Sequence, residues 1–371
     1  MKKHVLAVAV ATAFTVPAMA QNVSLFGTVD GGYSNSTIHN GLGIETNGVA
    51  AGATVKVSSW GSNRSATDGA LTSNRFGIQG TEDLGGGLSA RFIYEVGLDF
   101  SAGANGFGNG AARQSLVALD SKSMGSVSLG RQYSPIFSAG AAFDAGSANN
   151  LPGRTAYGKH VLVASSPVAQ TSAANVQTTT RINNSVLYTS PAMGGIVASV
   201  MYAKDKTDTT GTATGTSHFG GRLNYTAGPL NVQFGTHRFE DLAAAAAAVY
   251  KASTNLVGAS YNLGWATVMG MHLTNKTDAQ GAQVLGYKAT QIGLRAPISP
   301  AVSGFATWGN GQVEGAAGAK THDSHGYQAG ISYALSKRTS VYAAYGREEI
   351  EAIGGALFIT KELAAGVRHS F

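Results

Sequence analysis

Four stretches hold residues whose types and spacing could do chemistry. "GRTAYGKH", 153–160, sets Gly153, Gly158 and Lys159 like a phosphate-binding loop, where backbone amides and a lysine cradle phosphate oxygens. It ends in His160, where that loop needs Ser or Thr, and no strand-to-helix pattern surrounds it. "GGGLSA", 85–90, fits the spacing of a dinucleotide-binding turn, but strand alternation follows it instead of a helix. "HDSH", 322–325, offers His322 and His325 to a metal ion, with no further ligand at a suitable spacing. His218 and Asp241 could pair as acid and base, yet no G-x-S-x-G or other local catalytic signature accompanies them. The reading is therefore no enzyme, no metal and no cofactor. What remains is fixed charge: Arg75 in "SNRFG", and Arg91 and Glu95 in "GLSARFIYEVGLDFS". Fixed charges make no bonds, but they sort ions in water.

The elements that position these charges are strands. In residues 87–101, Leu88, Ala90, Phe92, Tyr94, Val96, Leu98 and Phe100 take every second place, with Ser89, Arg91, Ile93, Glu95, Gly97 and Asp99 between them. Period two defines a strand with one greasy and one largely polar face. Arg91 and Glu95 share the polar face. Arg75 joins them there, because its neighbours Phe76 and Ile78 take the greasy parity. A stretch this long is more than twice the usual ~5–6 residues of a strand. The same alternation recurs in "HFGGRLNYT", "GYQAGISYAL" and "ELAAGVRHSF".

Composition narrows the setting. "MKKHVLAVAVATAFTVPAMA" has a basic head, an apolar stretch and an A-x-A site, which reads as a secretory signal peptide over residues 1–20. One domain, 21–371, follows. Removal of Lys2 and Lys3 lowers the formal net charge from +6 to +4, and no basic block suggests a nucleic-acid partner. There is no cysteine, hence no disulfide framework, thiol nucleophile or Cys-bound metal, as suits an oxidising compartment. Fifty glycines without a period of three exclude collagen, and 43% hydrophobic residues exclude disorder.

The connections complete the architecture. Short turns fall near 83–87, 122–125, 191–194, 227–229, 262–264, 298–302 and 335–339. Long polar connections fall near 35–73, 102–112, 134–181, 205–217, 240–249, 276–288, 311–324 and 349–360, with a small helical turn expected at 242–249. The two kinds alternate strictly and separate sixteen strands. Short turns on one side and long loops on the other mark outer-membrane barrels. In hydrocarbon no sheet edge can stay open, so the sheet must close. Tyr94, Tyr188, Tyr202, Tyr225, Tyr261, Trp265 and Tyr345 are the candidates for the interfacial aromatic girdles. The fold class is all-β: a 16-stranded antiparallel transmembrane barrel in the outer membrane, with a water-filled interior.

Particular stretches resemble beta-proteobacterial trimeric general porins. They are "SLFGTVDGGYS", "SNRFGIQGTEDLGGGLSARFIYEVG", "SMGSVSLGRQYSP", "RINNSVLYTSPAMGG" and the terminal "GVRHSF", and they come in the family's order across the mature chain. The resemblance implies a homotrimer, a third loop folded into each barrel, and a constriction where basic wall residues face acidic ones. It places Arg75, Glu95, Arg113, Arg131 and Arg181 on the wall, and Asp144 in the third loop opposite the arginines. Arg154, a further constriction candidate, and Lys159 fall in that loop, whose "VLVASSPVAQTSAANVQTTT" extension is longer and less charged than the family's. It also makes Phe371 the terminal aromatic read by the barrel-insertion machinery. Parity conflicts with two of these positions. Arg113 shares parity with greasy Val117 and Leu119, and Arg131 with Val127 and Leu129, so either a bulge re-aims them or they face outward near a strand end.

The expected function is general diffusion: ions and small hydrophilic solutes crossing an arginine-lined, anion-preferring pore. Expected partners are two further copies of the chain, outer-membrane lipid with lipopolysaccharide, and the insertion machinery. A substrate-specific channel on the same scaffold is the alternative. Barrel enzymes and repeat adhesins stand further off, because neither a clustered nucleophile nor a fixed short repeat is visible.

Overall fold

The computed structural model describes residues 22–42, 50, 52–60, 68–98, 107–156, 180–209, 212–243 and 248–371. The expected signal peptide, Lys159 and the 157–179 part of the third loop lie outside these. The strands are β1 (Asn22–Asn40), β2 (Thr54–Trp60), β3 (Arg75–Gly85), β4 (Leu88–Leu98), β5 (Phe107–Ser121), β6 (Gly125–Tyr133), β7 (Arg181–Thr189), β8 (Ile196–Thr209) and β9 (Thr212–Ala227). There follow β10 (Leu230–Ala243), β11 (Ala248–Asn262), β12 (Thr267–Ala279), β13 (Ala282–Pro297), β14 (Val302–Glu314), β15 (Lys320–Ala334), β16 (Thr339–Ala352) and β17 (Leu357–Ser370). Among the described residues one α-helix, α1 (Pro135–Ala142), stands between β6 and β7.

Every strand pair is antiparallel, and the sheet closes on itself. Along one edge β1 pairs with β17, from Thr28 opposite Ser370 to Asn40 opposite Phe358. Its other edge is shared: Asn22–Thr28 pairs with β3, and Tyr33–His39 with the short β2. The barrel therefore has sixteen staves, with β2 an accessory strand that fills the rim beside β1. Phe371 locks the seam through reciprocal backbone hydrogen bonds with Gly27, its ring filling the space a side chain there would need.

The two faces separate by parity. On β11 Val257 is 51% exposed on the outside while Leu256 next to it is 1% exposed. Phe234, Ile292, Trp308 and Leu363 repeat the outward pattern. Tyr94, Tyr188, Tyr202, Tyr225, Tyr261 and Trp265 are all exposed on the outer surface, and Tyr345 is half-buried. All seven short turns fall where the sequence puts them.

The long connections differ from expectation. Residues 205–217, 240–249 and 276–288 are mostly strand: β8 and β9 pair as far as Thr209 with Thr212, and β10 and β11 as far as Ala243 with Ala248. Leu242 and Ala243 belong to β10, so no helical turn starts there, and 244–247 lie outside the described residues. β12 and β13 are joined by Gln280–Gly281 alone, both with positive φ as a two-residue hairpin turn requires. Crossing the hydrocarbon takes ~9–11 residues of tilted strand, so strands of 13–16 residues stand above it on one side. Up there the outer face is polar, with Lys251 and Lys288 exposed. Strand β4 is described over Leu88–Leu98, and the remaining 99–101 of the alternating stretch lie outside the described residues. His322 is buried on the inner face of β15 while His325 is exposed on the outer, because residues three apart in a strand point oppositely. That geometry removes the two-histidine metal reading.

The chain leaving β6 packs across the inner face. Ser134 caps α1 through its hydroxyl, which accepts the Phe137 N–H (3.1 Å), and Pro135 suits the first turn. Ile136, Ala139 and Phe143 then join Leu256, Met269, Met271 and Leu273 of the wall in one apolar cluster. The fit depends on glycine. A Cβ at Gly258 would overlap the Phe143 ring, and one at Gly346 would overlap the Pro152 carbonyl. Arg295 on β13 clamps the same segment, its Nη2 donating to the Ala145 carbonyl (2.7 Å) and the Ser147 hydroxyl (2.6 Å). Residues 135–156 thus run along the inside of β8 to β16.

Candidate functional site

Charge gathers on the wall formed by β3 to β7. Glu95 on β4 is 3% exposed and anchors the group. Arg113 Nε donates to its Oε1 at 2.6 Å, and Arg75 Nε lies 4.0 Å from its Oε2, an ion pair without a hydrogen bond. Arg75 is held from the other side, Nη1 donating to Thr72 Oγ1 (2.9 Å) and the Ser73 carbonyl (3.0 Å). Arg113 Nη2 reaches the Tyr133 hydroxyl at 3.5 Å, and Arg181 Nη2 donates to the same hydroxyl at 3.0 Å. The Arg181 guanidinium also lies over the Tyr133 ring, 4.7 Å from its centre, and the same ring stacks with Phe137 of α1, centroids 5.0 Å apart. Arg131 Nε donates to the Ala112 carbonyl (2.5 Å) and its Nη1 to Asn183 Oδ1. The charges of Arg113, Arg131 and Arg181 are near enough to repel one another.

The parity conflict at Arg113 resolves through a bulge. Glu95 pairs with Gln114 and Val96 with Ala112, so Arg113 is the extra residue between them and turns toward Glu95. A second irregularity follows Gly130, where the partners step from Ser185 to Ile182 across two residues of β6. Gly130 has φ +128°, and a Cβ there would overlap the Ser115 carbonyl, so only glycine fits.

Arg75, Glu95, Arg113, Arg131 and Arg181 are therefore brought together, and Asp144 and Arg154 are not. Asp144 is fully buried; its carboxylate accepts the N–H groups of Gly146 (3.1 Å) and Ala148 (2.8 Å) and the Gln291 amide (3.1 Å). It shapes the loop against β13 instead of facing the arginines. Arg154 is buried where Gly153 and Thr155 press on β13 to β16, across the barrel. Tyr133 and Arg295 went unnoticed in the sequence. Arg295 shares parity with inward Gln291 and Gly293, which would have found it. Tyr133 gives only the hint of preceding the Ser-Pro that starts α1.

A closed sheet with a greasy exterior and ionic groups on its inner wall defines a transmembrane β-barrel channel. The sequence profile of the Gram-negative porin family matches residues 7–352, and the chain belongs to that family. Outer membrane porin protein 32 of Delftia acidovorans is 32% identical over 303 residues, spanning 80% of this chain and 76% of that protein. Major outer membrane protein P.IB of Neisseria meningitidis serogroup B is 30% identical over 237 residues, 63% of this chain and 58% of that one. Among solved structures, the anion-selective porin from Comamonas acidovorans superposes with a TM-score of 0.73 at 23% identity, covering 95% of this chain and 100% of its own. In its trimer form, OmpT of Vibrio cholerae gives 0.61 at 13% identity, covering 95% and 100%. The chain is an outer-membrane porin, through which small hydrophilic solutes diffuse. Its relatives are channels rather than enzymes.

Proposed function

We propose that the pore prefers anions and that Arg75, Arg113, Arg131 and Arg181, gathered on the wall that carries Glu95, set that preference. The carrying observation is the imbalance: four guanidinium groups gather on this wall, and among the described residues the acid ion-paired with them is Glu95, which meets Arg75 and Arg113, while Arg181 and Arg131 bond neutral oxygens. Asp144, the acid expected to oppose them, is engaged elsewhere. Such a ring concentrates anions and excludes cations. The protein works as a homotrimer, exported with loss of residues 1–20, inserted through its C-terminal strand ending in Phe371, and surrounded by outer-membrane lipid and lipopolysaccharide. The trimer form of a structural neighbour supports the homotrimer, and the N-terminal pattern supports the loss of residues 1–20.

The test is planar-bilayer conductance of the refolded protein under a KCl gradient, repeated for Arg75→Glu. Stepwise closures in threes, with an anion-favouring reversal potential that weakens in the variant, are expected. A cation-favouring potential in the unaltered protein would overturn the charge assignment and leave the porin fold standing.

A further inference from the structure

Asp30 lies on β1 with its side chain inside the barrel, 1% exposed. Its Oδ2 accepts the backbone N–H groups of Leu71 (3.0 Å) and Thr72 (2.9 Å), and its Oδ1 the hydroxyl of Tyr342 on β16 (2.7 Å). The Asp30 N–H donates to Asn74 Oδ1 (2.6 Å), and the Asn74 N–H to Asp68 Oδ1 (2.8 Å). Ala70 and Leu71 are buried against Tyr342, Ala344, Ala364 and Leu151. Residues 68–74 are thus a strap fastened to the inner wall, with Asp30 as its main anchor.

This strap touches both the arginine group and the third loop. Thr72, whose N–H the carboxylate holds, presents its Oγ1 to Arg75 Nη1, and Ser73 presents its carbonyl to the same nitrogen. Two residues earlier, the Ala70 carbonyl accepts the Asn150 N–H (2.8 Å) and the Gly69 carbonyl the Asn150 amide (2.7 Å). Asn150 belongs to the third loop. We infer that Asp30, with Tyr342, is a positioning pair for ion selectivity: one buried carboxylate holds the strap, and through it both the Arg75 guanidinium and the third loop at Asn150. A carboxylate suits the role because all three of its partners donate, whereas an amide would turn its own N–H₂ toward one of them. The inference rests on Arg75 setting selectivity.

Asp30 could act in two ways, and they have opposite signs. As a mere negative charge near the pore, its removal would raise anion preference. As the anchor of the strap, its removal frees Thr72 and Ser73, lets Arg75 move off the wall, and lowers anion preference. Reversal potentials of the full-length refolded protein in a KCl gradient separate the two, measured for Asp30→Asn, Tyr342→Phe, Arg75→Gln and the Arg75→Gln/Asp30→Asn double variant. We expect the anion-to-cation permeability ratio to fall about twofold in Asp30→Asn, part of the about fivefold that one unit charge 4 Å away commands in water. Tyr342→Phe, which keeps the charge, should shift it the same way by less, and Asp30→Asn should add nothing on Arg75→Gln. A ratio that rises or stays fixed in Asp30→Asn, while Arg75→Gln lowers it, would overturn the positioning role alone. No effect of Arg75→Gln would overturn both this role and the constriction assignment. Should Asp30→Asn not fold, Tyr342→Phe decides: a lowered ratio supports the role, and an unchanged one overturns it.

Discussion

Glu95 stands between Arg75 and Arg113 and is nearly withdrawn from solvent. Replacing it by Gln removes the acid of the group and leaves the guanidinium charges in place. Glu95→Gln should therefore push the reversal potential further toward anions, by up to about fivefold in permeability ratio for one unit charge 4 Å away in water. A shift toward cations would mean that the arginines lose their geometry without it. Arg113→Ala tests the reverse: Glu95 loses its hydrogen-bonded guanidinium and keeps the Arg75 ion pair, 4.0 Å away and without a hydrogen bond, and anion preference should fall, read in the same gradient. Much of this group was legible in the sequence. Parity alone put Arg75, Arg91 and Glu95 on the inner face. Arg113 resisted, because the bulge that re-aims it exists only in its register with β4. Asp144 resisted for another reason: no pattern tells an acid that faces a pore from one that receives backbone N–H groups of its own loop.

At the scale of elements, the third loop and the wall are cut to each other. The inner face of β11 must carry glycine at 258 because Phe143 occupies the position its side chain would take. Gly258→Ala should cost about 1–3 kcal/mol, the usual range for overpacking. A lowered midpoint of thermal unfolding in detergent, with noisier single-channel current, is the expected readout; unchanged values would mean the loop yields freely. The seven short turns were readable because glycine, proline and polar clusters punctuate them. The tall hairpins at 205–217 and 276–288 were not, because above the hydrocarbon both faces of a strand meet water and the period-two signal fades. Strand β2 was hidden in the same way, inside a connection read as loop from 35 to 73.

For the whole molecule, the outer surface is in contact with lipid and the inner with water, so the same substitution has different consequences on each. Val257→Arg places a charge on the greasy face between Tyr261 and the polar upper end of β11, and should destabilise the barrel by about 2–4 kcal/mol if measured by guanidinium unfolding from lipid vesicles. A cost near zero would place Val257 outside the lipid-facing band. The conducting path is governed by the inside of the barrel, wall and third loop together. Its fixed charges act through a screened field, which reaches ~10 Å at 0.1 M salt and ~3 Å at 1 M. The most direct measurement is therefore the reversal potential of the unaltered protein in bilayers, at a constant KCl ratio, with mean concentration raised from about 0.1 M to about 1 M. The arginine group predicts clear anion preference at the lower salt that fades toward that of free KCl diffusion at the higher. Cation preference, or an anion preference indifferent to salt, would contradict it.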